Sequence, residues 1–285
     1  MKSFNMKTLF AVAGLATLFV AGSALAHSNA REPKEDVTFS FEGPLGTFDQ
    51  AQLQRGYKVY REVCSSCHSM KLMSYRNLGE VGGPFYDKKY KTANDNAIVK
   101  QIASEYDYTE IDRDTGDEVP RKGTPSDTFK SPFKNKEAAA ASNGGAAPPD
   151  LSVIAKAREG GARYIYSVLT GFETPPAGLN VPTGRFYNPY VNGALATQWT
   201  GDKHHVPEGG ILAMPPPLAD GKVTFDDGTK SSLNQEAADV ATFLEWAGDP
   251  HATERKKAGW AAMIYLFLFG LVTYGAYRQL WKGKH

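Results

Sequence analysis

Both cysteines of the 285-residue chain fall in one pentapeptide, Cys64-Ser65-Ser66-Cys67-His68. Two thiols three positions apart beside an imidazole suit four chemistries: a disulfide, a zinc half-site, a thioredoxin-like dithiol and a haem anchor. A disulfide here would close a tiny loop and constrain the unfolded chain little. A zinc site needs further ligands, and no cysteine remains for a second Cys-x-x-Cys. A redox dithiol belongs after a strand, at the opening of a helix. This motif instead ends a helix-like run, "QAQLQRGYKVYREV", which Asp49 can cap and in which Leu53, Tyr57, Tyr60 and Val63 share a face. In Cys-x-x-Cys-His the thiols add to the two vinyl groups of a porphyrin and hold the imidazole under the iron. The motif therefore points to one covalent haem c, attached through Cys64 and Cys67, with His68 as a metal ligand.

A second axial ligand emerges by elimination. Met1 and Met6 lie in an N-terminal leader, Met263 in an apolar segment, and Met70 and Met73 too near His68 to reach the opposite ring face. Met214 remains, in "GGILAMPPPLAD", where Gly209-Gly210 permit a sharp approach and three prolines stiffen the chain beyond it. Core filling is the ordinary use of a methionine, and His204 and His205 compete for the position. A thioether opposite imidazole favours ferrous iron and raises the potential. With His68 and Met214 both bound, oxygen and peroxide have no place, and the protein reads as an electron carrier.

The elements around these residues give an address. Residues 1–26 combine Lys2 and Lys7, an apolar stretch and Ala24-Leu25-Ala26, which is the pattern of a secretory signal cleaved near His27; an uncleaved anchor is the alternative. Residues 258–277 contain no charged side chain, and Trp260, Tyr277 and Trp281 lie near their ends. Twenty helical residues rise about 30 Å, the thickness of a bilayer's hydrocarbon core. Three basic residues flank each side, so charge alone does not orient this segment; the signal does, exporting residues 27–254 and leaving a short basic tail in the cytoplasm. The expected address is the inner cell membrane, single-pass, with the globular part on the periplasmic side and 255–285 as anchor and tail.

The formal charge of +1 hides an asymmetry, since the exported part holds 24 basic and 31 acidic residues. That excess argues against nucleic acid and suits a basic protein partner, although it serves solubility equally well. Its densest stretch, 105–118, carries seven acids and one arginine around an Asp-Thr-Gly-Asp turn signal and reads as an exposed loop. Residues 121–149 read as irregular. A capped helix is expected from about Asp150, another after Gly160-Gly161, and a last one over "SLNQEAADVATFLEWAGD", with Ser232 and Gln235 in capping-box positions. "VTFDDGTK" reads as a short hairpin or turn. The exported part is thus mainly α with long loops, and no internal repeat is present.

With these residues placed, the chain closely resembles the cytochrome c1 family from about Phe39 to Trp281. The likeness includes "LQRGYKVYREVCSSCHSM", "YRNLGE", "PPDLS", "AKAREGGARYIYSVLTGF", "FYNPY", "MPPPL", "FDDGT", "DVATFLEWAGDP" and "RKKAG". The resemblance implies a class I c-type cytochrome-like haem domain with long loops and a C-terminal transmembrane helix. It implies the haem subunit of a ubiquinol–cytochrome c oxidoreductase, with no catalysis by this subunit alone. The implied partners are cytochrome b, the Rieske iron–sulfur protein as electron donor, a soluble cytochrome c as acceptor and membrane lipid, within a dimeric multi-subunit complex. By resemblance Arg158 and Tyr164 bond a haem propionate and Pro149 packs by His68. Several bacterial relatives carry an extra disulfide, which this chain cannot form if haem uses both cysteines. The other reading of the same haem chemistry is a membrane-anchored shuttle serving a terminal oxidase. Third comes a haem enzyme or gas sensor, which requires Met214 not to bind.

Overall fold

A computed structural model describes residues 29–283; the 1–26 leader and Lys284 lie outside them. Six α-helices and four short strands follow one another along the described chain. The first helix, α1 (Gln50–Glu62), begins where Asp49 accepts a bond from the Gln52 amide at 2.7 Å. Then come α2 (Ala97–Ser104), strands β1 (Asp107–Ile111) and β2 (Glu118–Lys122), α3 (Lys136–Ser142), α4 (Gly161–Thr170), strands β3 (Phe186–Asn188) and β4 (Gly210–Leu212), α5 (Leu233–Gly248) and α6 (Ala252–Trp281).

The core forms where α5 packs against both α1 and α4. Leu53, Tyr57, Val59 and Tyr60 of α1 meet Val240, Ala241, Phe243 and Leu244 of α5, and Ile165 and Tyr166 complete the layer from α4. Gly56 sets the α1–α5 spacing. A Cβ there would stand 2.1 Å from the Asp239 carbonyl oxygen and 2.7 Å from the Phe243 Cβ. Beside this contact Arg55 forks onto Asp239, at 2.7 and 3.3 Å, and reaches Asp227 at 2.7 Å. Burial pushes the Asp239 carboxyl up, and its bonds from Arg55 and Gln235 offset only part of that. A smaller cluster of Leu179, Tyr187 and Leu195 gathers around the antiparallel β3–β4 pair.

Three expectations are corrected. Within 121–149, read as irregular, Lys136–Ser142 form α3, because Asn135 accepts a bond from the Ala138 amide and four alanines favour a helix. The acidic stretch is an antiparallel hairpin, Asp107 opposite Lys122, with the predicted turn at its tip. After Asp150 the chain makes successive turns rather than a helix. The Asp150 carboxylate does bond the Ser152 amide at 2.9 Å, but it also holds Ser69 and Lys71, and Gly160, at φ +83°, breaks the chain before a helix can develop. Both α4 and α5 begin where their patterns place them, and the Gln235 amide donates to Ser232. The Gln235 side chain, however, turns to Asp239 at 2.9 Å, so the capping box is half formed.

Only three residues, 249–251, separate α5 from α6. Helix α6 is 30 residues long, long and apolar enough to cross a membrane, and none of its most apolar window is buried.

Candidate cofactor site

The pentapeptide continues the last turn of α1. Residues Cys64–Ser66 form a 3-10 turn, and the amides of Cys67 and His68 both donate to the Cys64 carbonyl, at 3.1 and 2.9 Å. Ser65 and Ser66 donate their hydroxyls back to the carbonyls of Arg61 and Val63. The four residues before the histidine are therefore held by the helix end itself. Both thiols are free, with Cys64 packed against the core and Cys67 exposed. Burial, and then the neighbouring Cys67, pushes the Cys64 thiol up to about 12. Among the described residues no group of three or more His, Cys, Asp or Glu side chains is placed to hold a metal ion, which leaves the zinc reading without a ligand set.

His68 is oriented from the far side. Its Nδ1 donates to the Pro149 carbonyl at 2.8 Å, which fixes the tautomer and leaves Nε2 as the lone-pair nitrogen, with no partner among the described residues. Burial lowers the imidazole pKa, so the ring is neutral and able to ligate. Pro149 is held in turn by a ladder of bonds between 69–72 and 150–152. The Leu151 amide donates to Ser69 at 2.8 Å, Ser69 Oγ and the Lys71 amide donate to Asp150 at 2.8 and 3.0 Å, and the Leu72 amide donates to Ser152 at 3.0 Å. Burial alone would raise the Asp150 carboxyl, but the bonds from Ser152, Lys71 and Ser69 bring it below the usual carboxylate range. A cavity of about 400 Å³ opens beside Cys67, with Lys71, Phe133 and Pro149 in its wall.

Met214 lies two residues beyond β4, half-buried, between Ile211 in the smaller cluster and Leu218 in the main core. The glycines before it act as their sequence suggests. Gly209 takes φ +98°, and a Cβ there would meet the Pro189 Cα at 2.4 Å. The competing histidines are exposed, and His205, 81% accessible, bonds Asp202 at 2.7 Å.

Arg158 sits exposed in the turns before α4; it bonds only the Ala157 carbonyl, at 3.0 Å, and has no carboxylate partner among the described residues. Tyr164, half-buried on α4, packs against the core with its hydroxyl unpartnered among the described residues. The Arg158 guanidinium and the Tyr164 hydroxyl, three residues to either side of Gly161 at the start of α4, are donors suited to carboxylates. The residues fit haem: two uncrosslinked thiols, an oriented neutral imidazole and unpaired donors for propionates. Sequence reasoning missed Asp150 as the post behind His68, and it missed Trp246, whose buried indole N–H has no partner among the described residues.

The sequence profile described as the Cytochrome C1 family matches residues 39–284. The chain is 39% identical to "Cytochrome b/c1" of Bradyrhizobium diazoefficiens, over 96% of its own length and 40% of that protein. It is 37% identical to "Cytochrome c1" of Rhodospirillum rubrum, over 94% of this chain and 97% of that one. With "Cytochrome c1, heme protein, mitochondrial" of Saccharomyces cerevisiae it shares 39% identity, over 86% and 71% of the two chains.

Proposed function

The chain belongs to the cytochrome c1 family, and from that premise we propose that it is the haem-carrying electron-transfer subunit of a cytochrome bc1 complex, taking an electron from a Rieske iron–sulfur protein and delivering it to a soluble cytochrome c. Haem c, when bound, supplies a one-electron ferric–ferrous couple. The Cys64 and Cys67 thiols would hold it covalently, His68 Nε2 and the Met214 thioether would ligate its iron, and Arg158 and Tyr164 would bind its propionates.

The observation that carries the reading is the His68–Pro149 bond, because it spends the one ring nitrogen that a ligating histidine does not need. With His68 and Met214 both as ligands the iron would have no place for oxygen, so these residues suit electron transfer and not oxygen chemistry. Cytochrome b and the Rieske protein are the expected neighbours in a dimeric complex. Helix α6 crosses the inner membrane, with residues 27–254 on the periplasmic side, the C-terminus cytoplasmic and 1–26 removed as a signal.

Purification in mild detergent tests the assembly. Co-purification of a cytochrome b and a Rieske subunit is expected, and recovery alone would favour the tethered shuttle. A spectrum tests the ligands. The oxidised protein should show the weak red band of a methionine–iron bond, and ready binding of carbon monoxide by the reduced protein would overturn the carrier reading.

A further inference from the structure

Three backbone carbonyls of one short loop converge on a single ammonium. Lys256 Nζ donates to the carbonyl oxygens of Phe41 at 2.6 Å, Gly43 at 2.9 Å and Gly46 at 3.3 Å. One helical turn further along α6, the Trp260 indole donates to the Pro44 carbonyl at 3.0 Å. Gly43 takes φ +73°, and a Cβ on Gly46 would stand 2.0 Å from the Glu42 carbonyl oxygen, so the loop is bent tightly around the lysine.

The base of the loop is fixed to the globular domain. Glu42 accepts two bonds from Arg163 of α4, each 2.8 Å, and the Phe41 ring stacks on Phe39 at 5.1 Å and meets Phe48 at a tilt at 4.9 Å. Its tip is Leu45, 76% exposed. The loop spends a lysine and a tryptophan of α6 on its backbone and turns Leu45 outward.

What that leucine meets follows from continuity with α6. Trp260 is the third residue of the charge-free run 258–277, so the Pro44 carbonyl is tied to a point about 3 Å inside the apolar segment at 1.5 Å per residue. Indole rings at that depth favour the headgroup boundary. We propose that the 41–46 loop is a second membrane contact: Leu45 enters the lipid interface, and Lys256 and Trp260 are the positioning residues that hold it there. A spanning helix alone leaves a domain free to lean and turn about one point, and a second contact beside it fixes the tilt.

The proposal rests on α6 spanning the bilayer, and the test separates the two. Full-length, haem-loaded protein in phosphatidylcholine vesicles is labelled with bimane at Leu45→Cys, at Ile111→Cys on the exposed hairpin and at Leu271→Cys within α6; thioether-linked Cys64 and Cys67 do not react. A lipid-borne doxyl quencher should reduce the emission at position 45 several-fold more than at 111, with aqueous iodide doing the reverse. Equal quenching of 45 and 111 by iodide overturns the proposal, and so does protection of 45 from both quenchers, which would mean that protein covers it. Lipid quenching at 271 must hold throughout, and its loss would mean that α6 does not span. In Lys256→Met the lipid quenching at 45 should fall to the level of 111 while that at 271 is kept. Unchanged quenching at 45 would remove Lys256 from the positioning role.

Discussion

His68 and Pro149 stand 81 residues apart in the chain, with imidazole Nδ1 and carbonyl oxygen 2.8 Å apart. The acceptor is backbone, so no side-chain replacement deletes it directly. Its position depends on Asp150, whose carboxylate gathers Ser69, Lys71 and Ser152. Asp150→Ala leaves those donors partly unsatisfied and should cost about 1–3 kcal/mol in urea unfolding. Covalent haem, read from a haem-stained denaturing gel, should be unchanged, because the thioethers do not involve this loop.

Met214→Leu keeps an apolar side chain of similar volume and removes the thioether. Haem should stay attached and the midpoint potential should fall by on the order of 0.1 V, within the roughly 0.8 V that axial ligands span. Potentiometric titration decides it, and an unchanged potential removes Met214 from the ligand role.

Gly56→Ala sets two effects against each other. Alanine gains about 1 kcal/mol of helix propensity over glycine. The added methyl would press on the Asp239 carbonyl, which is backbone and cannot swing aside. Overpacking of this kind costs typically 1–3 kcal/mol and more where nothing yields. The second effect should win, and a lowered thermal midpoint by circular dichroism checks it.

The acidic hairpin has an internal clamp at its base. Arg121 forks onto Asp127 at 2.7 and 2.6 Å, and with Thr124 it holds the Asp127 carboxyl at about 2, below its ordinary 3.8. A depressed folded value means that the stabilisation is full above 3.8 and is lost as pH falls from there toward 2. Unfolding curves over that window should show the loss in the native chain, and Asp127→Asn should flatten it.

The same hairpin presents Asp107, Glu110, Asp114 and Asp117 to solvent. Replacing them by their amides should slow electron delivery to a basic soluble cytochrome c at low salt, and the difference should vanish once the Debye length shrinks below about 10 Å. Stopped-flow rates at two ionic strengths read this out, and equal rates at low salt would leave the acidity to solubility alone.

What could be read in advance was what the chain decides locally. Asp49 and Ser232 cap helices a few residues away, and the Cys-x-x-Cys-His spacing is complete within five residues. The hairpin was legible only at its Asp-Thr-Gly-Asp turn, because its strands are too charged to show an apolar alternation. Asp150 looked like a helix cap because its other partners, Ser69 and Lys71, are about 80 residues back. Lys256 looked like an ordinary membrane flank for the same reason, since its three carbonyls lie more than 200 residues upstream. Long-range polar contacts leave no periodic trace.

The three-residue corner between α5 and α6 decides how the globular domain can move on its anchor. Arg255 bonds Asp249 across it and His251 bonds Glu254 at 2.9 Å, so there is no slack to pay out. The globular domain built on α1 and braced by α5 therefore cannot swing on a tether of its own: any tilt of α6 is passed to it whole, as a post carries a sign.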